Sequence, residues 1–185
     1  VLTGFVFVGE PFICAWGGEE YGAAYWIALL LIAPVTVPLI QNIGIEIQRA
    51  KNMHQFRSKV YFCMAIGNAL VSIPLGMKFG GIGCALGTAI SMVVGNGFIM
   101  NWYYQTHIGL DMRYFWKHIL SIVPAMLPAV ALGIIAVRLH TFTGYAGVVT
   151  FAVPYAAVYA VGLYLFAMDE SEKNMVRGVM RKIRR

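Results

Sequence analysis

The charged residues of this chain come in short clusters, and long apolar runs separate the clusters. Few folds survive that constraint. A soluble domain spreads charge over its whole surface and is about a quarter charged. Here 12% of residues are charged and 59% are hydrophobic, so most of the surface has to meet something other than water. Runs of this length between charged clusters are the pattern of transmembrane helices. Alternation at a period of two is missing, which argues against an outer-membrane barrel.

Six apolar segments are expected: Val1–Trp16, Gly22–Ile47, Val60–Phe79, Ile82–Tyr104, Trp116–Val137 and Tyr145–Met168. The first is shorter than a span needs at about 1.5 Å per residue. The expectation is therefore a chain that starts inside a helix of a longer protein. The formal net charge of +6 does not point to nucleic acid, because the basic residues lie between apolar runs and not along one polar face.

Six segments put the loops alternately on two sides. One side carries Arg49, Lys51, Arg57, Lys59, Arg113, Lys117, Lys173, Arg177, Arg181, Lys182, Arg184 and Arg185, and the other only Lys78 and Arg138. A split of twelve to two assigns the first side, and with it the C-terminus, to the cytoplasm. Trp16, Trp26, Trp102 and Trp116 flank the expected loops, at the headgroup level that Trp favours. The basic tail from Asp169 is either a topology anchor with a frayed end or an interfacial helix on anionic lipid.

Polar groups inside apolar segments need a partner or a wet cavity. Asn42, Glu46 and Arg49 recur at i, i+4 and i+7, so they share one helix face, with Gln41 and Gln48 beside it and Ile43 and Ile47 opposite. That stripe either lines a hydrophilic passage or marks where the helix reaches the headgroups; Asn42, being deeper, favours the passage. Asn68 and Ser72 stand at i and i+4. Gly83, Gly87, Ser91 and Gly95 form a small-residue stripe suited to close helix contact, with Asn96 and Asn101 in the same segment. Glu10 precedes Pro11 and is read as nearing the outer surface. Pro34, Pro38, Pro74, Pro124, Pro128 and Pro154 fall inside segments, where they bend helices.

Several chemistries have no foothold here. His54, His107, His118 and His140 show no metal spacing, and Cys14, Cys63 and Cys84 read as small hydrophobes, not as disulfides or metal ligands. There is no phosphate loop, and the spans hold no intramembrane Ser and His or paired Asp. The expectation is a protein that is not an enzyme and has no cofactor, with any transport driven by a gradient.

One ordered set of motifs is suggestive. Gly9-Glu10-Pro11-Phe12-Ile13 leads to Trp16-Gly17-Gly18-Glu19-Glu20-Tyr21; Gln41-Asn42 leads to Gln48-Arg49-Ala50-Lys51-Asn52; and Gly67-Asn68-Ala69-Leu70 leads through Pro74 to Phe79-Gly80-Gly81-Ile82-Gly83-Cys84-Ala85-Leu86-Gly87-Thr88. This resembles the C-terminal half of bacterial polysaccharide flippases of the O-antigen type, in the MATE/MOP superfamily, over about Gly9 to Tyr104. The resemblance implies an all-α membrane bundle: residues 1–104 in a C-terminal lobe, 105–168 as two additional helices, and 169–185 as a basic cytoplasmic tail. The whole transporter would have about fourteen helices in two lobes in the bacterial inner membrane. It implies as cargo an undecaprenyl-diphosphate-linked glycan, moved from the cytoplasmic to the periplasmic leaflet. It also implies contact with membrane lipid, Na⁺ or H⁺ as the coupling ion, and polysaccharide polymerases as partners. Gln41, Asn42, Glu46, Arg49 and Asn68 would line the cavity, Arg49 being the cation at its mouth. The alternatives are a cation-coupled multidrug exporter or peptidoglycan-precursor flippase of the same superfamily, and, from another class, a glycan-modifying membrane enzyme or a non-transport membrane subunit.

Overall fold

The computed structural model describes residues 2–139 and 144–183. Every regular element among them is helical. Three stretches are long and apolar enough to cross a bilayer, His54–Ile108, Met112–Arg138 and Gly144–Phe166. A fourth is formed if Ala24–Ile40 and Asn42–Ala50 count as one broken span. Large apolar side chains are widely exposed, Leu39, Leu70 and Met77 among them, and in water such a surface would aggregate. Together these features are those of a membrane-embedded helical protein.

Helix α1 is Leu2–Gly17 and runs unbroken through Pro11, with Glu10 exposed on its side. After a short 3₁₀ turn, α2 covers Ala24–Ile40 and contains both Pro34 and Pro38. The expected single segment Gly22–Ile47 is corrected here. The chain bends by 45° at Gln41, whose ψ of 9° is not helical, and α3 covers Asn42–Ala50.

The stretch His54–Ile108 is two helices. Gly80 has φ 62° and ψ −141°, a left-handed conformation that a Cβ would penalise, and the chain reverses there. The two arms, α4 (residues 54–79) and α5 (residues 81–108), run antiparallel. Each is about 40 Å long at 1.5 Å per residue. Their contacts step in register: Leu75 against Gly83, Ser72 against Gly87, Met64 against Gly95. A Cβ on any of these three glycines would overlap its neighbour, so the small-residue stripe is what lets the arms close.

Gly109 ends α5 in the left-handed region. Asp111 Oδ1 then accepts the backbone N–H groups of Arg113 and Tyr114, both at 3.0 Å, and caps α6, Met112–Leu139. Helix α7, Gly144–Phe166, lies antiparallel to α6, with Gly162 against the Ala125 carbonyl and Phe151 and Tyr155 around Ala129. Helix α8 covers Glu170–Ile183. In space the order is α6, α7, α1, α2 and then the α4–α5 hairpin. Helix α1 is thus the joint: Phe7 packs on Phe151 and Tyr155, while Tyr25 of α2 donates to the Val6 carbonyl at 3.0 Å.

Candidate functional site

Several polar side chains of the hairpin gather along the seam between its arms and the bend at Gln41. At the hairpin's middle, Asn68 Oδ1 accepts from Ser72 Oγ at 2.6 Å and from Thr88 Oγ1 at 3.3 Å. Ser72 Oγ also reaches the Cys84 carbonyl at 3.3 Å. Nearer the basic end, Tyr61 donates to Asn96 Oδ1 at 2.8 Å. Arg57 Nη2 donates to the Tyr61 hydroxyl at 2.9 Å, and its guanidinium carbon lies 4.9 Å from the ring centre. Arg57 Nη1 is buried without a hydrogen-bond partner.

Gln41 closes the seam from the other side. Only 2% exposed, it donates from Nε2 to Asn101 Oδ1 at 2.7 Å and to the Asn96 carbonyl at 3.4 Å. Trp116 of α6 donates to the same Asn101 oxygen at 3.2 Å, and Asn101 Nδ2 holds the Gly97 carbonyl at 2.6 Å. Three parts of the chain therefore meet on one half-buried amide, that of Asn101. The link to Trp116 also places that indole partly inside, unlike Trp16, Trp26 and Trp102, which are exposed.

Local backbone geometry makes the convergence possible. In an α-helix, residues five apart point in different directions. From Val93 to Met100 α5 is a π-helix, with i→i+5 bonding, and Tyr104–Ile108 is a second π segment. The i+5 register brings Asn96 and Asn101 onto one side, toward Gln41. Glycine at 95 and 97 leaves room: the first sits against Met64.

The expected site residues separate into three places. Gln41 belongs to the buried amide cluster. Asn42, Glu46 and Arg49 do share one face of α3, as the spacing indicates, and that face is exposed. Arg49 Nη1 donates to Glu46 Oε1 at 2.8 Å, with both side chains well exposed. Asn68 lies in the hairpin seam, half-buried. Ile43, expected opposite the stripe, is 68% exposed as well, and Gly44, Ile45 and Gln48 are the buried residues of α3. The reason is tertiary, since Gly44 lets α3 approach the ring of Tyr104. Gln48 Nε2 bonds the Met53 carbonyl at 3.0 Å and turns the chain into α4.

Tyr61, Arg57 and Trp116 are also members of the seam; the charge split counts Arg57 as a topology signal and the aromatic pattern puts Trp116 at the headgroups. Arg57 and Tyr61 stand at i and i+4, a signal available in the sequence. Trp116 had none, because its partner lies on another helix. No group of three potential metal ligands occurs among the described residues, and the three cysteines are free thiols.

Beside the cluster, a pocket of about 320 Å³ opens between α3, the end of α5 and the start of α6. Gln41, Gly44, Tyr104, Asp111, Tyr114 and His118 line it with apolar neighbours, and the Tyr114 and His118 rings lie nearly parallel, 6.2 Å apart. No protein-family model matches the chain, and no curated protein or solved structure is significantly similar to it.

Proposed function

We propose that this chain forms part of a transporter that flips a lipid-linked oligosaccharide from the cytoplasmic to the periplasmic leaflet of a bacterial inner membrane. The observation that carries the reading is the seam. Amides, hydroxyls and one guanidinium run along a hairpin whose other faces are apolar, from Arg57 and Tyr61 through Asn96 to Asn68, Ser72 and Thr88. Placing polar groups at this depth is costly, so they mark a route or a glue. Asn68, Ser72 and Thr88 are only half-buried, which suits groups that meet a passing hydrated ligand. Neutral hydrogen-bonding groups of this kind match sugar hydroxyls.

In this reading the exposed face of α3, with Asn42, Glu46 and Arg49, forms the cytoplasmic mouth. The twelve-to-two division of basic residues supports that sidedness. The bend at Gln41 and the prolines in α2, α4, α6 and α7 suit a protein that rocks between two arrangements. The seam's hydrogen bonds involve no carboxylate, which disfavours a cation-coupled exporter. Coupling to Na⁺ or H⁺ and contact with a polymerase would belong to the same reading.

The test is genetic and chemical together. Cells lacking the gene should lose surface polysaccharide and accumulate the lipid-linked repeat unit inside. Cysteines introduced at Asn42→Cys and Asn68→Cys should react with a membrane-impermeant maleimide. Normal surface glycan in the deletion strain would overturn the proposal, and inertness of both cysteines beside a labelled loop control would remove the wet passage.

A further inference from the structure

Helix α8 starts only a few residues after the membrane-crossing helix α7 ends. Its first turn is fixed locally: Glu172 Oε2 accepts the Asp169 backbone N–H at 3.0 Å, the returning half of a capping box. It does not continue α7 in a straight line. Arg177 Nε donates to the Tyr164 hydroxyl at 3.2 Å, whereas a collinear helix would hold the two Cα atoms about 20 Å apart. The chain therefore turns at the end of α7, and α8 leaves its axis.

The composition of α8 changes along its length. Acids stand only in the first turn, Glu170 and Glu172, where they favour the helix dipole. From Lys173 to the end the sequence has six Lys and Arg and no acid. Apolar residues recur at 175, 176, 179, 180 and 183, which is the spacing of one helix face. Met175 on that face is 73% exposed. An apolar stripe in the sequence, with Met175 exposed on it, bordered by cations and tethered to the end of a spanning helix, is matched in charge and position by one surface: anionic phospholipid headgroups with acyl chains beneath them.

We infer that α8 is an interfacial helix that docks on the anionic headgroups of the membrane around α7, its apolar face entering the acyl boundary. Docking then depends on bilayer charge, and the tail reports the lipid composition next to the protein. This does not rest on the transport reading.

The experiment uses the whole chain in nanodiscs, with Cys14, Cys63 and Cys84 replaced by Ala and a bimane attached at Met175→Cys. The discs contain phosphatidylcholine alone or phosphatidylcholine with phosphatidylglycerol. With phosphatidylglycerol the emission shifts to the blue and iodide quenching falls. In about 1 M salt, where the Debye length shrinks to about 3 Å, the protection is lost. Lys173→Gln with Arg177→Gln weakens docking by about twenty-five-fold, at about fivefold per charge. Tyr164→Phe removes the bond to Arg177 and leaves the protection intact. Equal quenching in both lipids overturns the inference. So does protection that ignores salt and lipid charge, or that disappears in Tyr164→Phe, since the helix would then be held by its apolar face or by α7.

Discussion

The α4–α5 hairpin and the α6–α7 pair solve the same problem with different chemistry. Both are antiparallel helix pairs that close through small residues. Gly83, Gly87 and Gly95 admit α4, and Gly162 admits the backbone of α6 at Ala125. Beyond that they diverge. The α6–α7 pair is finished with apolar packing, Ala129 fully buried under Phe151 and Tyr155 and the face completed by Phe7 of α1. The hairpin has an apolar cluster as well, with Phe56 and Val60 against Met100 and Tyr103, and it adds hydrogen bonds between its arms and to Gln41. In a bilayer the hydrophobic effect adds nothing to helix association, so close packing and polar contact remain. Close packing is available everywhere. Polar contact is costly wherever it is incompletely paired, and each pair holds such a buried atom, Arg57 Nη1 in the hairpin and the Tyr155 hydroxyl in α6–α7. The hairpin thus carries polar contacts beyond those that close packing requires, and the transport proposal draws on those extra contacts.

The largest expected effect tests the shared feature. Gly87→Leu drives a side chain into Ser72 and its backbone and should separate the arms, a loss above about 3 kcal/mol read as absence of a monodisperse peak and of a cooperative melt in detergent. Next comes the apolar pair. Phe151→Ala should cost about 3 kcal/mol or more, seen as a lowered melting temperature, with no effect on labelling of Asn68→Cys. Such a change in labelling would mean that the two pairs are coupled through α1 and that the contrast between them is false.

A smaller effect distinguishes glue from passage. Asn96→Leu removes the acceptor for Tyr61 and should cost about 1 kcal/mol, within the range measured for interhelical bonds in membranes. If the seam is a transport route, Asn68→Ala should lower transport far more than it lowers the melting temperature. Proportional loss of both would make the seam structural. The smallest effect belongs to α3. Exchange of Glu46 and Arg49 in one double variant should change stability by less than about 0.5 kcal/mol, because the pair is exposed on both sides. A large loss of transport in that variant would place the pair at the mouth.

Much of the architecture was legible because it follows from one-dimensional quantities. The reversal at Gly80 and Gly81 lies between the expected segments Val60–Phe79 and Ile82–Tyr104, since glycine pairs and apolar runs are local signals. The four-residue spacing of Gly83, Gly87 and Gly95 correctly marked a packing face. The candidate site was harder. Asn42, Glu46 and Arg49 were grouped by helical period, and they do share a face, yet Gln41 next to them points into a different environment. The period that grouped them continues from α2 without interruption, whereas the backbone breaks by 45° at Gln41. Nothing in the run Leu39–Ile43 announces that break.

By itself, then, the sequence determined that the chain is helical, membrane-embedded and broken between Phe79 and Ile82 at a glycine pair, because hydrophobicity, spacing and conformational freedom are properties of single residues and their near neighbours. Only the tertiary structure decided which polar groups meet. Gln41, Asn96, Asn101 and Trp116 come from four separated stretches. They converge because α2 bends, α5 takes an i+5 register and glycines let the helices approach. Each of those is a compromise struck between elements, and no local pattern records it.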